Sequence, residues 1–410
     1  MKKQLSIIIS IIILVLLVWG GNYAWKIFRE EGPSVPNSPG DITKNIPDST
    51  SPNIPEAVNN TDFPLELPKG FAISIYADGL PGARVMAVND GNMWVSQIGQ
   101  GQISHLVIQN GKVIDQNIAF RNLNKPHGLA FDPVDASVLY IAEEHRISKF
   151  KIGVGTDPEK IIDLPKGGRH FTRTLGFGPD GRLYVSIGST CDVCNEKDER
   201  FASIYSMNKD GSDFKKVASG LRNSVFFTWH PTTQKIWATE MGRDNLGDNL
   251  PPDEINIIEG GDYGWPICYG QGIHDTNFDK NTYFMDPCIR RMNSYIDLPA
   301  HSAPLGLAFV PDSWPAEYRN DLIVAFHGSW NRSEPTGYKL ARIKLSEKGE
   351  YEGMDSTGSP RVEDFISGWL SSDGKTSLGR PVDIIFAENG IMYVSDDKAG
   401  VIYKVEYLGK

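Results

Sequence analysis

One short phrase recurs six times along this chain, and it fixes the architecture before any reactive residue is considered. The clearest copy is LGFGPDGRLYVS from Leu175: apolar residues, a Pro-Asp-Gly turn, then an alternating strand ending in a small hydroxyl. Related copies read MAVNDGNMWVS from Met86, GLAFDPVDASVLYIA from Gly128 and FFTWHPTTQKIWAT from Phe226. Two more read GLAFVPDSWPAEYRNDLIVA from Gly306 and DIIFAENGIMYVS from Asp383. Each is strand, tight turn, strand, with β-branched and aromatic residues alternating as one buried sheet face requires. Antiparallel hairpins repeated every roughly 45 to 80 residues point to a β-propeller with one small sheet per copy. Six copies predict six blades, an all-β fold. The wider spacings leave room for long loops, where a propeller carries its chemistry.

The ends and the charge set further bounds. A formal net charge of −10 with no run of Lys and Arg argues against nucleic acid as a partner, because phosphate binding needs a concentrated cationic face. Lys2 and Lys3 precede a predominantly apolar stretch from Leu5 to Trp25. About 20 apolar residues can cross a bilayer as one helix, and leading lysines favour a cytoplasmic N-terminus. No small-x-small cleavage site follows, so a retained transmembrane anchor over 1–27 is favoured over a cleaved signal segment. Residues 28–63 are rich in Pro, Ser, Asn and Asp and read as a disordered linker, leaving 64–410 for the propeller. The body is then expected outside the cytoplasm, held to the membrane.

The cysteines fit export. Cys191 and Cys194 form a CxxC pair, while Cys268 and Cys288 flank a loop of moderate length. Two local disulfides are the default outside the cytoplasm. Zinc is the alternative, but no nearby His or second CxxC supplies further ligands.

No phosphate-binding glycine loop, Gly-x-Ser-x-Gly elbow or His-Glu-x-x-His helix occurs. The unusual residues gather instead in loops flanking the repeats: GGRHFTRT from Gly167, GLRNS from Gly220, the acidic stretch Glu240–Pro266, HGSWNRSEPTGYK from His327 and LGRPVD from Leu378. Equivalent loops of successive blades converge on one end of the central channel. His170, Arg222, Asn223, Arg332 and Arg380 are therefore expected around one pocket, beside Asp244 and Asp248. Guanidinium forks bind carboxylates, and an acidic, carbonyl-rich loop suits a cation.

These loops resemble those of the glucose/sorbosone dehydrogenase family, six-bladed propellers that oxidise sugars with pyrroloquinoline quinone. The resemblance spans Leu67 to Tyr407 and is carried most specifically by HGSWNRSEPTGYK and GGDYGWP. It is nearer the sorbosone and broad aldose branch than the soluble glucose enzyme. It implies that His170 is the general base, a role suited to neutral imidazole near physiological pH. Arg222 and Asn223 match the pair that contacts the quinone. Gly242 and Arg243 stand where two backbone carbonyls hold calcium. Arg380 matches an arginine gripping a cofactor carboxylate, and Arg332 falls near a cationic contact. Arg243 replaces a proline of the soluble glucose enzyme, and Thr190 stands for a glutamine near its cofactor. The activity implied is calcium-assisted oxidation of an aldose or sugar aldehyde, with a membrane quinone or cytochrome taking the electrons.

Two rival classes share the fold: a calcium-dependent lactonase, which wants carboxylate and Asn ligands at the channel floor, and a non-catalytic binding propeller, as in the resembling domain of hedgehog-interacting protein. Simpler readings stand beside the functional ones. Arg222 and Arg380 could pair with blade carboxylates such as Asp383. His127 and His327 are expected to satisfy loop backbone, His301 to touch substrate, and Trp330 either to stack on a flat ligand or to anchor a blade.

Overall fold

Each copy of the phrase forms the two inner strands of an antiparallel sheet, and six such sheets are present among the described residues. The computed structural model describes residues 54–346, 348–353 and 362–409. Blade I comprises Ala83–Asn89, Asn92–Gln97, Gln102–Gln109 and Lys112–Phe120; blade II, Leu129–Phe131, Val138–Glu143, Arg146–Lys151 and Glu159–Asp163. Blade III is built from Leu175–Phe177, Leu183–Ile187, Ser203–Met207 and Lys215–Ser219. Blade IV takes Phe227–Trp229, Ile236–Glu240, Asp253–Ile258 and Ile296–Leu298, and blade V Pro304–Phe309, Leu322–Phe326, Lys339–Ile343 and Val362–Ile366. First strands of neighbouring blades touch, so the first strand of each sheet is innermost.

Blade VI closes the ring from both ends of the fold. Pro381–Phe386, Met392–Asp396 and Val401–Tyr407 are joined by Phe71–Ala77, which pairs antiparallel with Val401–Tyr407. Val58–Asn60 then adds a parallel outer strand. That segment lay within the expected linker. Its backbone nevertheless pairs with the sheet edge, and the Asn59 amide donates to the carbonyls of Phe63 and Leu65. Phe71 is fully buried against Trp314, Tyr318 and Phe365, which ties blade VI to blade V.

The small hydroxyl ending the phrase has a structural use. It lies too near the axis to reach water and bonds backbone of its own or the next blade instead. Ser395 Oγ donates to Arg84 O at 2.5 Å, Ser186 Oγ to Val225 O at 3.2 Å, and Thr239 Oγ1 to Leu305 O at 2.9 Å. These bonds stitch blade VI to I, III to IV and IV to V.

Both expected disulfides, Cys191–Cys194 and Cys268–Cys288, are formed. Among the described residues no helix is long and apolar enough to cross a membrane, and the anchor expected over 1–27 lies outside them.

Antiparallel connectivity decides where the loops go. The connection entering a first strand and the one joining second to third strand emerge at the same end of a blade; the turn inside the phrase lies at the other. His170, Arg222, Asn223 and Arg380 sit on entering connections of blades III, IV and VI. Thr190, Gly242, Arg243 and Arg332 sit on second-to-third connections of blades III, IV and V. All eight therefore lie at one mouth of the propeller.

Candidate functional site

The His170 loop is held by a cation absent from the sequence-based expectation. Arg173 is fully buried, and its guanidinium donates to the carbonyls of Pro165 at 2.9 Å, His170 at 3.0 Å and Thr172 at 2.7 Å. These bonds curl the loop so that the His170 ring meets the connection after the second strand of blade III, with Nδ1 2.9 Å from Ser189 Oγ. His170 Nε2 makes no hydrogen bond among the described residues. Burial, then the guanidiniums of Arg222 and Arg169, pushes the imidazole down to about 3, which keeps it neutral.

Asn223 reaches the same spot from blade IV. A Cβ on Gly188 would lie 2.6 Å from Asn223 Oδ1 and 2.7 Å from His170 Cβ, so only glycine allows the two side chains this close. Asn223 Oδ1 is buried without a hydrogen-bond partner. Such an atom costs free energy unless something in the working protein meets it.

The arginines converge as expected, but they are not free. Arg222 donates through Nε to Asp192 O at 2.9 Å, through Nη1 to Met241 O at 3.2 Å, and through Nη2 to Asp192 Oδ1 at 2.8 Å and Asp244 Oδ2 at 3.4 Å. Of the five N–H groups of a guanidinium, one Nη1 hydrogen is left. Arg169 lies 2.7 Å from Asp244, and Arg243 donates to Asp275 at 2.7 Å. Asp192, Asp244 and Asp275 thus offset three of the cations. Asp192 is not among the expected site residues, because in the sequence it stands inside the CxxC pair, where the sulfur atoms are the visible signal.

The 327–339 loop links this cluster to Arg380. At its start, His327 O accepts from Arg380 Nε at 2.9 Å and Gly328 O from Nη2; further along, Asn331 Nδ2 donates to Asp244 Oδ1 at 2.9 Å. Arg380 Nη1 makes no hydrogen bond among the described residues. Arg332 turns away from the cluster, donating to Ala300 O at 3.1 Å and Asn249 at 3.2 Å, so its neighbour Asn331 makes the inward contact. Trp330 is 67% exposed beside Arg169, so it is a rim residue and anchors no blade. Thr190 is engaged by Glu196, its Oγ1 donating at 2.9 Å. His301 stands 2.8 Å from Gly247 O, and His127 is fully buried against Phe226.

Gly242 and Arg243 line a narrow cleft with Arg222, Glu240 and Trp265. Gly242 N donates to Asp253 at 2.9 Å, which fixes the turn, and neither carbonyl oxygen accepts a hydrogen bond among the described residues. Beneath lie buried carboxyls. Burial pushes Glu240 well up and Glu254 up to about 7. A carboxyl whose folded pKa is raised contributes stability that is full below its unfolded pKa and lost as pH rises through the folded one. For Glu254 that window runs from the ordinary carboxylate range to about 7. Gln stays neutral throughout. The melting temperature of Glu254→Gln relative to the parent is therefore expected to rise by a few degrees between pH 5 and 8, about 1 to 3 kcal/mol. A pH-independent difference between the two melting curves would show that Glu254 does not titrate in this way.

The propeller itself is shared with known proteins. The model of the TrAA12-like family matches residues 65–408, nearly the whole propeller. The chain belongs to the TrAA12-like family. A curated relative from Borreliella burgdorferi, itself uncharacterised, is 33% identical over 370 residues, covering 84% of this chain and 91% of its own. The pyrroloquinoline quinone-dependent pyranose dehydrogenase of Coprinopsis cinerea is 22% identical, and the match spans 84% of this chain but 55% of that protein. Among solved structures, the calcium structure of the Trichoderma reesei AA12 enzyme superposes with a TM-score of 0.74 at 20% identity, covering 86% of this chain and all (100%) of that one. The PQQ-bound aldose sugar dehydrogenase of Streptomyces coelicolor gives 0.59 at 18% identity, covering 83% and 99%. This family member shares the propeller of both.

Proposed function

We propose that this chain is a pyrroloquinoline quinone- and calcium-dependent dehydrogenase of an aldose or sugar aldehyde. The observation that carries the reading is a half-buried, neutral imidazole at the propeller mouth, its Nδ1 on Ser189 Oγ, set against Asn223 and flanked by guanidiniums. The residues present fit the cofactor. Asn223 Oδ1 is a buried acceptor awaiting a donor, Arg222 and Arg380 keep uncommitted N–H groups, and the Gly242 and Arg243 carbonyls suit a hard cation. Bound there, the quinone would supply a two-electron acceptor and calcium a Lewis acid.

The chain's own contribution is positioning and proton transfer. His170 takes the proton of the hydroxyl group carried by the sugar carbon being oxidised. Asp192 and Asp244 hold Arg222 and Arg169 in place, so these donors need no reorganisation when a ligand arrives. Trp330 offers an exposed ring at the rim, suited to a sugar face. The apolar stretch from Leu5 to Trp25 is proposed to tether the body outside the cytoplasm, where a membrane quinone or cytochrome can accept electrons.

Dye-linked oxidation of aldoses by the purified propeller, with and without added quinone and calcium, tests the proposal. Turnover that requires both is expected. No turnover with any sugar when both are present would refute it, and lactone hydrolysis without quinone would favour the lactonase class.

A further inference from the structure

We propose that Ser189 is a positioning residue that fixes His170 as its Nδ1–H tautomer, leaving Nε2 as the atom that receives the substrate proton. The inference rests on His170 being the base and deepens that reading by assigning its two nitrogens.

The argument is a count of hydrogens. A serine hydroxyl has one to donate. Ser189 Oγ donates to the carbonyl of Cys191 at 2.7 Å. Toward His170 Nδ1, 2.9 Å away, the same oxygen can then only accept, so Nδ1 must carry a hydrogen. A neutral imidazole has one N–H, so Nε2 bears the lone pair. Were the tautomer reversed, Nδ1 and Ser189 Oγ would face each other without a hydrogen between them.

The acceptor that decides the matter is itself fixed. Cys191 belongs to the ring closed by the disulfide to Cys194. Its neighbour Asp192 is clamped through the main-chain oxygen by Arg222 at 2.9 Å and the Trp265 indole at 3.2 Å, and through Oδ1 by the Asp244 amide at 2.8 Å. On the other side, Thr190 N donates to Glu196 at 2.6 Å. A four-residue stretch therefore sets the proton on the base and holds Arg222 at once. In a sequence, Ser189 looks like any loop serine.

The test uses the full propeller labelled with ¹⁵N-histidine, first without added cofactor, and long-range ¹H–¹⁵N correlation, which separates the two tautomers by their nitrogen shifts. His170→Asn identifies the resonances. The Nδ1–H form is expected in the parent, a mixture of both forms in Ser189→Ala, and restoration in Ser189→Thr. With quinone and calcium added, Ser189→Ala is expected to lower kcat roughly 10- to 100-fold with KM little changed, and Ser189→Thr to recover most of it. An Nε2–H parent, or an Ser189→Ala variant whose tautomer is unchanged, overturns the inference even if sugar is oxidised. An Nδ1–H parent that becomes mixed in Ser189→Ala supports the inference even if no sugar is oxidised, in which case the proposed function alone fails.

Discussion

His170→Asn is expected to lower kcat for sugar oxidation by roughly 10²- to 10⁴-fold, the usual worth of a positioned general base. Asparagine keeps the partial burial and can still meet Ser189 Oγ through its amide, so the loop held by Arg173 should remain in place. It cannot accept a proton at neutral pH. Quinone binding, followed by the change in its absorbance on titration, is expected to stay close to that of the parent. The combination separates a lost base from a lost pocket. Should kcat fall less than about threefold, another group removes the proton and the role given to His170 is wrong.

Arg222→Met is expected to destabilise the propeller by about 3 kcal/mol, the lower end of the range for removing one partner of a buried ion pair. Arg222 is 5% exposed, and its loss strips donors from Asp192, Asp244 and the Asp192 and Met241 carbonyls together. Arg169 moderates the penalty, since it stands 2.7 Å from Asp244 and 4.0 Å from Asp192. Arg222→Lys should recover only part of the stability, because one ammonium cannot serve two carboxylates and two carbonyls in the geometry of a fork. The measurement is the urea midpoint at constant slope. Loss of less than about 1 kcal/mol would show that the ion pairs are solvated and weak.

The six-fold repeat made the propeller legible, because hairpins with a period of two residues on a buried face leave an unmistakable alternation. It also made the location of the site legible. Loops entering first strands and loops leaving second strands share one mouth whatever their sequence, so His170, Arg222 and Arg380 could be assigned together from their place relative to the repeat. What each side chain touches was not legible. Asp192 and Asp244 neutralise the arginines, yet both lie in irregular loops where no period relates an acid to the base it meets. Arg173 reads as one more surface cation, and only the folded loop shows three carbonyls closing on it. The exchange of roles between Arg332 and Asn331 has the same cause, since in a turn adjacent residues face opposite sides and neither propensity nor charge says which faces inward.

Because Phe71–Ala77 finds its partner in Val401–Tyr407, the sheet of blade VI cannot be completed until residues through Tyr407 are available. Until then Phe71–Ala77 has only the short Val58–Asn60 beside it, and its antiparallel neighbour comes from the far end of the propeller sequence, a long-range pairing that folds slowly. Removal of Val401–Tyr407 would therefore take away the strand that clasps the two ends of the propeller together.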